Sequence, residues 1–104
     1  MSETTPPAPD TVIAALRTHA AELRQAGIRH VGLFGSIARG EASPDSDIDL
    51  VAELDPDTRI GLFRLAGLER RLSELLGRQV DLLPEPIEQA RLRANIERDR
   101  RVAF

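Results

Sequence analysis

No cysteine, lysine, tryptophan or tyrosine occurs in this chain of 104 residues, and phenylalanine appears only as Phe34, Phe63 and Phe104. Each absence narrows the field. Without cysteine there is no disulfide framework and no thiolate metal site. Without lysine there is no P-loop, whose GxxxxGK(S/T) motif needs an ammonium group on the phosphates; all 14 basic residues are arginine. The formal net charge of −3 and the scarcity of aromatics argue against nucleic acid as the main partner, because such binders carry a basic footprint and stacking rings. No apolar run approaches the roughly 20 residues of a membrane span. Residues 1–9, MSETTPPAP, are polar and proline-rich and lack the apolar segment of a signal peptide. A soluble, cytoplasmic protein with no membrane partner is expected.

A chain of this length can bury one modest core, so a single domain over 10–104 is expected behind a disordered lead-in over 1–9. Asp10 is a candidate N-cap, and Val12, Ile13, Leu16, Ala20 and Leu23 share one helical face. The spacing predicts a helix over 11–26, ended by Gly27. Residues 28–34 read as a strand, with Val31 and Leu33 on one face. Ser36 to Arg39 read as a short helical turn broken at Gly40, and 41–46 as a loop. Residues 47–54 read as a second strand, Ile48 and Leu50 facing one way and Asp47, Asp49 and Val51 the other.

The turn Asp55-Pro56-Asp57-Thr58 is expected to cap the next helix. The stripe of that helix is Leu62, Leu65, Leu68, Leu72, Leu75 and Leu76, its outward face carries Arg64, Arg71, Glu74 and Arg78, and it stops at Gly77. A third strand over 79–83 follows, then a helix over 87–99 with Pro86 in its first turn, and a short terminal strand over 102–104. Helices alternating with a few strands describe an α/β (α+β) fold, a small sheet covered by helices.

Within this frame one stretch carries chemistry: LFGSIARGEASPDSDIDLVAEL, from Leu33 to Leu54. Asp47 and Asp49 lie two apart on a strand, so both side chains leave the same face with Cα atoms roughly 6.6 Å apart. Carboxylates so placed can converge on a pair of divalent ions about 3.5–4 Å apart. Asp81, in QVDLL, alternates out of phase with its apolar neighbours. Were its strand to pair beside 47–54, at about 4.8 Å, it would complete a three-carboxylate set; taken alone, it reads equally well as an edge residue facing water. Such a set repels itself unless cations neutralise it, and hard oxygen ligands select Mg2+ or Mn2+.

Gly35 at a strand-to-helix junction allows close backbone approach to a ligand, and the turn after it offers free N–H groups to anionic oxygens. Ser36 adds a small hydroxyl donor, and Arg39, one turn on, can reach the same phosphates. A Gly-Ser pair by itself is usually a turn, and an Asp-x-Asp in a loop is usually solvated, as Asp55-Pro56-Asp57 is. The combination is what points to a site.

The pattern G-S-x10-D-x-D, here Gly35-Ser36 through Asp47-Ile48-Asp49, resembles the signature of the nucleotidyltransferases related to DNA polymerase beta. The fuller stretch, with VDLLPE downstream, is similar to the minimal nucleotidyltransferase (MNT) family, and the likeness runs from about Val12 to Phe104 with no catalytic position departing from the pattern. That resemblance implies the polymerase beta-like fold with its small mixed β-sheet, a nucleoside triphosphate (most often ATP) as substrate, and two Mg2+ ions. Residue by residue, it implies that Gly35 and Ser36 hold the triphosphate; Arg39 and Ser46 are further candidates for nucleotide binding. Asp47 and Asp49 match the ligands shared by both metals, and Asp81 the third carboxylate, which also helps activate the acceptor hydroxyl.

The resemblance further implies a HEPN-type toxin as partner. The chain would be the antitoxin of a type VII-like toxin–antitoxin pair, transferring AMP to a toxin tyrosine. The alternatives are an antitoxin acting by binding alone and transfer to a small molecule. The shortness of the chain independently suggests that the acceptor lies on a partner, and the lack of tyrosine excludes tyrosine self-modification. The arginine-rich segment from Arg91 to Arg101 is the candidate partner-facing surface.

Overall fold

The computed structural model describes residues 7–58 and 60–104. Residues 1–6 of the expected lead-in lie outside the described residues, and Pro9 already belongs to the first helix. The elements in order are α1 (Pro9–Thr18), α2 (Ala20–Gln25), β1 (Ile28–Phe34), α3 (Gly35–Ala38), β2 (Ile48–Leu54), α4 (Leu62–Leu76), β3 (Val80–Pro84), α5 (Ala90–Asp99) and β4 (Arg101–Val102). The strands form one sheet in the order β3-β2-β1-β4. β1 runs antiparallel to β2 and β4, while β3 runs parallel to β2. The expected small mixed sheet with its helices is present.

Period-two alternation along β2 divides the interior. Ile48, Leu50 and Ala52 point into the main core, where Val12, Ile13, Leu16 and Leu23 from α1–α2 and Leu68 and Leu72 from α4 meet them. Val51, from the opposite face, packs with Phe34 and with Ile96 of α5. Helices therefore cover both faces, and Asp49, which alternates with the main-core residues, is left on the α5 face. Among the described residues no helix is long and apolar enough to cross a membrane.

Several boundaries differ from those expected. The helix over 11–26 is two helices, because His19 leaves helical dihedrals at φ −101° and ψ 16°. Leu16 and Leu23 sit in the same core on either side of the break, so the apolar stripe is continuous across it and spacing does not reveal it. Asp10 is not the N-cap: Ala8 takes that place and Pro9 opens the helix. Asp10 instead adds negative charge in the first turn, which suits the helix dipole, and accepts from Arg101 at 2.6 Å.

The turn at 55–58 exists but caps no helix. The Asp55 carboxylate accepts the Asp57 N–H at 2.9 Å and its carbonyl the Thr58 N–H at 3.1 Å. That capacity is spent inside the turn, and α4 starts at Leu62 after Gly61 with no side-chain cap. β2 and β3 each start one residue later than expected, at Ile48 and Val80. α5 starts at Ala90 rather than 87, and Pro86 is outside it. Ile87 packs against the Phe34–Val51–Ile96 cluster while its carbonyl accepts Arg93 Nη1 at 3.0 Å; this long-range packing outweighs the helical pattern. Arg101 and Val102 form β4, and Ala103 and Phe104 continue its hydrogen bonding to Val31.

β3 lies at a sheet edge, and its outward N–H groups are met by α4. Val80 N–H donates to Ser73 Oγ at 3.1 Å, and Leu82 N–H donates to Glu69 Oε2 at 2.8 Å. Satisfying these groups blunts an otherwise open edge. The two contacts flank Asp81 and fix the strand that carries it.

Candidate active site

β1 ends in extended backbone at Phe34, and Gly35 then turns the chain with φ +79° into α3. The register of β1 on β2 pairs Phe34 with Asp49, so the carboxylate of Asp49 arrives against the turn. A Cβ on Gly35 would stand 2.5 Å from Asp49 Oδ2 and 3.3 Å from its Cγ. Glycine is thus required twice, for left-handed backbone and for room.

On its other side Asp49 is the register partner of Asp81 across the parallel β2–β3 ladder, adjacent strands being about 4.8 Å apart. Asp47 lies one residue before β2. Asp47 and Asp81 are exposed and Asp49 is half-buried. Burial first, and then the charges of Asp81 and Asp47, push the Asp49 carboxyl above the ordinary carboxylate value, with Arg39 pulling the other way. The structure brings Asp47 and Asp81 within electrostatic reach of Asp49.

They do not close on a point. Among the described residues no group of three or more His, Cys, Asp or Glu side chains is drawn tightly enough to hold a metal ion, as expected of like charges left to themselves. The donor set still suits a hard divalent cation: it is all oxygen, comes from neighbouring strand positions, and includes one carboxylate disfavoured by burial and its neighbours. Mg2+ and Mn2+ fit that chemistry.

The remaining sequence-derived residues lie around this centre. Ser36 is in the turn, its carbonyl accepting the Glu41 N–H at 2.9 Å. Arg39 ends the turn, but its guanidinium is engaged, donating from Nη1 to Asp99 at 2.8 Å and from Nε to Glu41 at 3.0 Å. Ser46 closes its own loop: its Oγ accepts the Ser43 N–H at 2.9 Å. Its carbonyl accepts Arg78 Nη1 at 3.3 Å, and Arg78 also donates to the Pro44 carbonyl. Arg78, expected to face outward, in fact clamps the loop that leads into Asp47. Asp55 and Asp57 follow β2 at its far end, where Asp55 N–H meets the Gly27 carbonyl at 2.7 Å.

Asp99, Glu69 and Ser73 carry no local sequence signal. Their partners are 60, 13 and 7 residues away, and only the fold brings them together. Much of the arginine-rich segment is also tied internally, Arg98 to Asp99, Arg100 to Glu85 and Arg101 to Asp10, whereas Arg91 is simply exposed.

Comparison with known proteins bears on this arrangement. A nucleotidyltransferase domain family model matches residues 16–103. The protein adenylyltransferase MntA of Thermococcus cleftensis is 39% identical over 75 residues, covering 71% of this chain and 74% of that protein. A solved structure described as a minimal nucleotidyltransferase aligns with a TM-score of 0.73 at 33% identity, over 91% of this chain and 95% of that one. A chain from the complex of tri-AMPylated Shewanella oneidensis HEPN toxin with MNT antitoxin shares the fold, with a TM-score of 0.63 at 17% identity, over 88% of this chain and 71% of that one. Family match, close relative and fold agree with the geometry at Gly35, Asp49 and Asp81: the chain belongs to the nucleotidyltransferase domain family, among its minimal nucleotidyltransferases, and is an enzyme.

Proposed function

We propose that this chain is a Mg2+-dependent protein adenylyltransferase that moves AMP from ATP to a hydroxyl, expected to be a tyrosine, on a HEPN-type toxin, and so acts as its antitoxin. One observation carries the chemical part. Asp49 is wedged between the Cβ-less Gly35 and its register partner Asp81, which joins the turn that carries Gly35 and Ser36 to a carboxylate set. The relative named protein adenylyltransferase MntA, and the antitoxin complex that shares the fold, support the choice of acceptor and partner.

In this reading the backbone at Gly35 and the Ser36 hydroxyl hold the triphosphate, as a turn without a Cβ permits. Asp47, Asp49 and Asp81 are the residues that would hold the metal, which when bound would supply countercharge to the carboxylates and phosphates; Mn2+ would meet the same donor set. Asp81, exposed beside Asp49, takes the proton of the acceptor hydroxyl as that oxygen bonds to the α-phosphorus. The bond from the α-phosphorus to the bridging oxygen breaks, and pyrophosphate leaves. Arg39, which closes the turn, contributes positive charge that opposes the rise at Asp49.

The test is intact-mass analysis of the toxin after incubation with the chain, ATP and Mg2+. The toxin gains the mass of AMP with wild type and not with Asp47→Ala plus Asp49→Ala. Undiminished modification by the double variant overturns the catalytic assignment. Full neutralisation of the toxin in cells by that variant would favour inhibition by binding alone.

A further inference from the structure

We infer that Asp99 is a positioning residue for nucleotide binding, holding the guanidinium of Arg39 at the end of the Gly35–Ser36 turn so that its remaining edge meets the triphosphate. The inference rests on the nucleotide reading above and adds a residue from a distant helix to it.

The backbone of Arg39 is set by the same turn that carries Gly35 and Ser36: its N–H donates to the Gly35 carbonyl at 3.2 Å. Its long side chain is then fixed at two points of the fork, Nη1 on Asp99 Oδ2 at 2.8 Å and Nε on Glu41 Oε2 at 3.0 Å. Nη2 donates to no protein acceptor among the described residues. Arg39 closes the same short turn that begins at Gly35 and Ser36, so the free edge lies at the end of the turn read above as the triphosphate holder.

Asp99 differs from an ordinary surface carboxylate. Only 5% of its side-chain surface is exposed, against 37% for Arg39 and 64% for Arg98. Both its oxygens are used: Oδ1 accepts Arg98 Nε at 2.9 Å, and Oδ2 accepts Arg98 Nη2 at 3.2 Å besides Arg39. Arg98 thus secures the anion that secures Arg39. An arginine left free would lose rotamer freedom when it engaged a phosphate; one anchored beforehand has already lost it, which favours binding.

The experiment is titration of the isolated chain with a fluorescent ATP analogue in the presence of Mg2+, with melting curves for every variant. Asp99→Asn is expected to weaken binding about tenfold, the size of one charge-assisted hydrogen bond. Asp99→Glu restores the carboxylate and is expected to stay within about threefold of wild type. Arg39→Ala weakens binding about tenfold, and adding Asp99→Asn to it causes no further loss, because Asp99 acts only through Arg39.

Wild-type affinity in Asp99→Asn overturns the inference, and so do multiplicative losses in the double variant, which would mark a merely structural tie. Should Asp99→Asn melt below the assay temperature, Arg39→Lys serves in its place: it keeps the charge but cannot bridge Asp99 and Glu41. Unchanged affinity there also overturns the inference. A wild-type chain that binds no analogue overturns both readings. One that binds as described but never modifies a toxin overturns only the choice of acceptor.

Discussion

Asp49 occupies the space in which a side chain at position 35 would begin, its Oδ2 lying 2.5 Å from where the Cβ would stand. The glycine of the turn and the carboxylate of the next strand are therefore one feature. No side chain can be added at position 35 without moving Asp49.

Gly35→Ala puts the clash and the backbone cost together. Left-handed backbone costs a non-glycine residue about 1–2 kcal/mol, and φ here is +79°. Displacing Asp49 by part of an ångström is expected to lower AMP transfer on the order of a hundredfold. Melting curves and a transfer assay with labelled ATP check both, and full activity in this variant would refute the account.

Asp49→Asn is expected to stabilise the fold while abolishing transfer. Burial and the neighbouring aspartates raise the Asp49 carboxyl above its usual 3.8, so the fold prefers the protonated form. The favourable contribution is present below the unfolded value and is lost as pH rises through the raised one. In metal-free buffer the variant should melt above wild type at neutral pH, and the gap should close as pH falls through the raised value towards 3.8. A gap independent of pH would contradict this.

Asp99 has the opposite sign. Hydrogen bonds from Arg98, and then Arg39, outweigh burial and hold its carboxyl down from 3.8 to about 2. Its contribution is present above the unfolded value and is lost as pH falls from 3.8 towards about 2. Wild type should therefore melt above Asp99→Asn at neutral pH, with the advantage disappearing in acid. The two aspartates thus tilt stability against pH in opposite directions, and melting curves of the two single variants across pH separate them.

Glu69→Ala removes the acceptor for the Leu82 N–H at the edge of β3. An unmet buried donor costs about 1–3 kcal/mol, read by urea unfolding. Glu69→Gln keeps an acceptor and should recover most of that loss. Amide hydrogen exchange at Leu82 should quicken in the alanine variant alone; unchanged exchange would show that the contact does not hold the strand.

The sequence was informative where local rules operate. The alternation from Ile48 to Val51 assigned Asp49 to the face opposite the main core, and it is there. Gly77 ends α4 in left-handed backbone, φ 68°, as its place after a leucine stripe requires. Boundaries failed where a long-range contact competed, as at Ile87, or where an apolar stripe ran through a break, as at His19.

By itself, then, the sequence determined the strand that carries Asp49, the turn that carries Gly35 and Ser36, and the types of residue available for phosphate and metal. These depend on backbone preferences and on spacings of a few residues, which any reading of the chain can reach. Tertiary structure alone decided that Asp81 faces Asp49 across a parallel ladder, that Arg78 folds back on the loop before Asp47, and that Asp99 takes hold of Arg39 from 60 residues away. Such pairings come from strand register and helix docking, which buried apolar area selects, and polar side chains so far apart in sequence carry no mark of the partner they will meet.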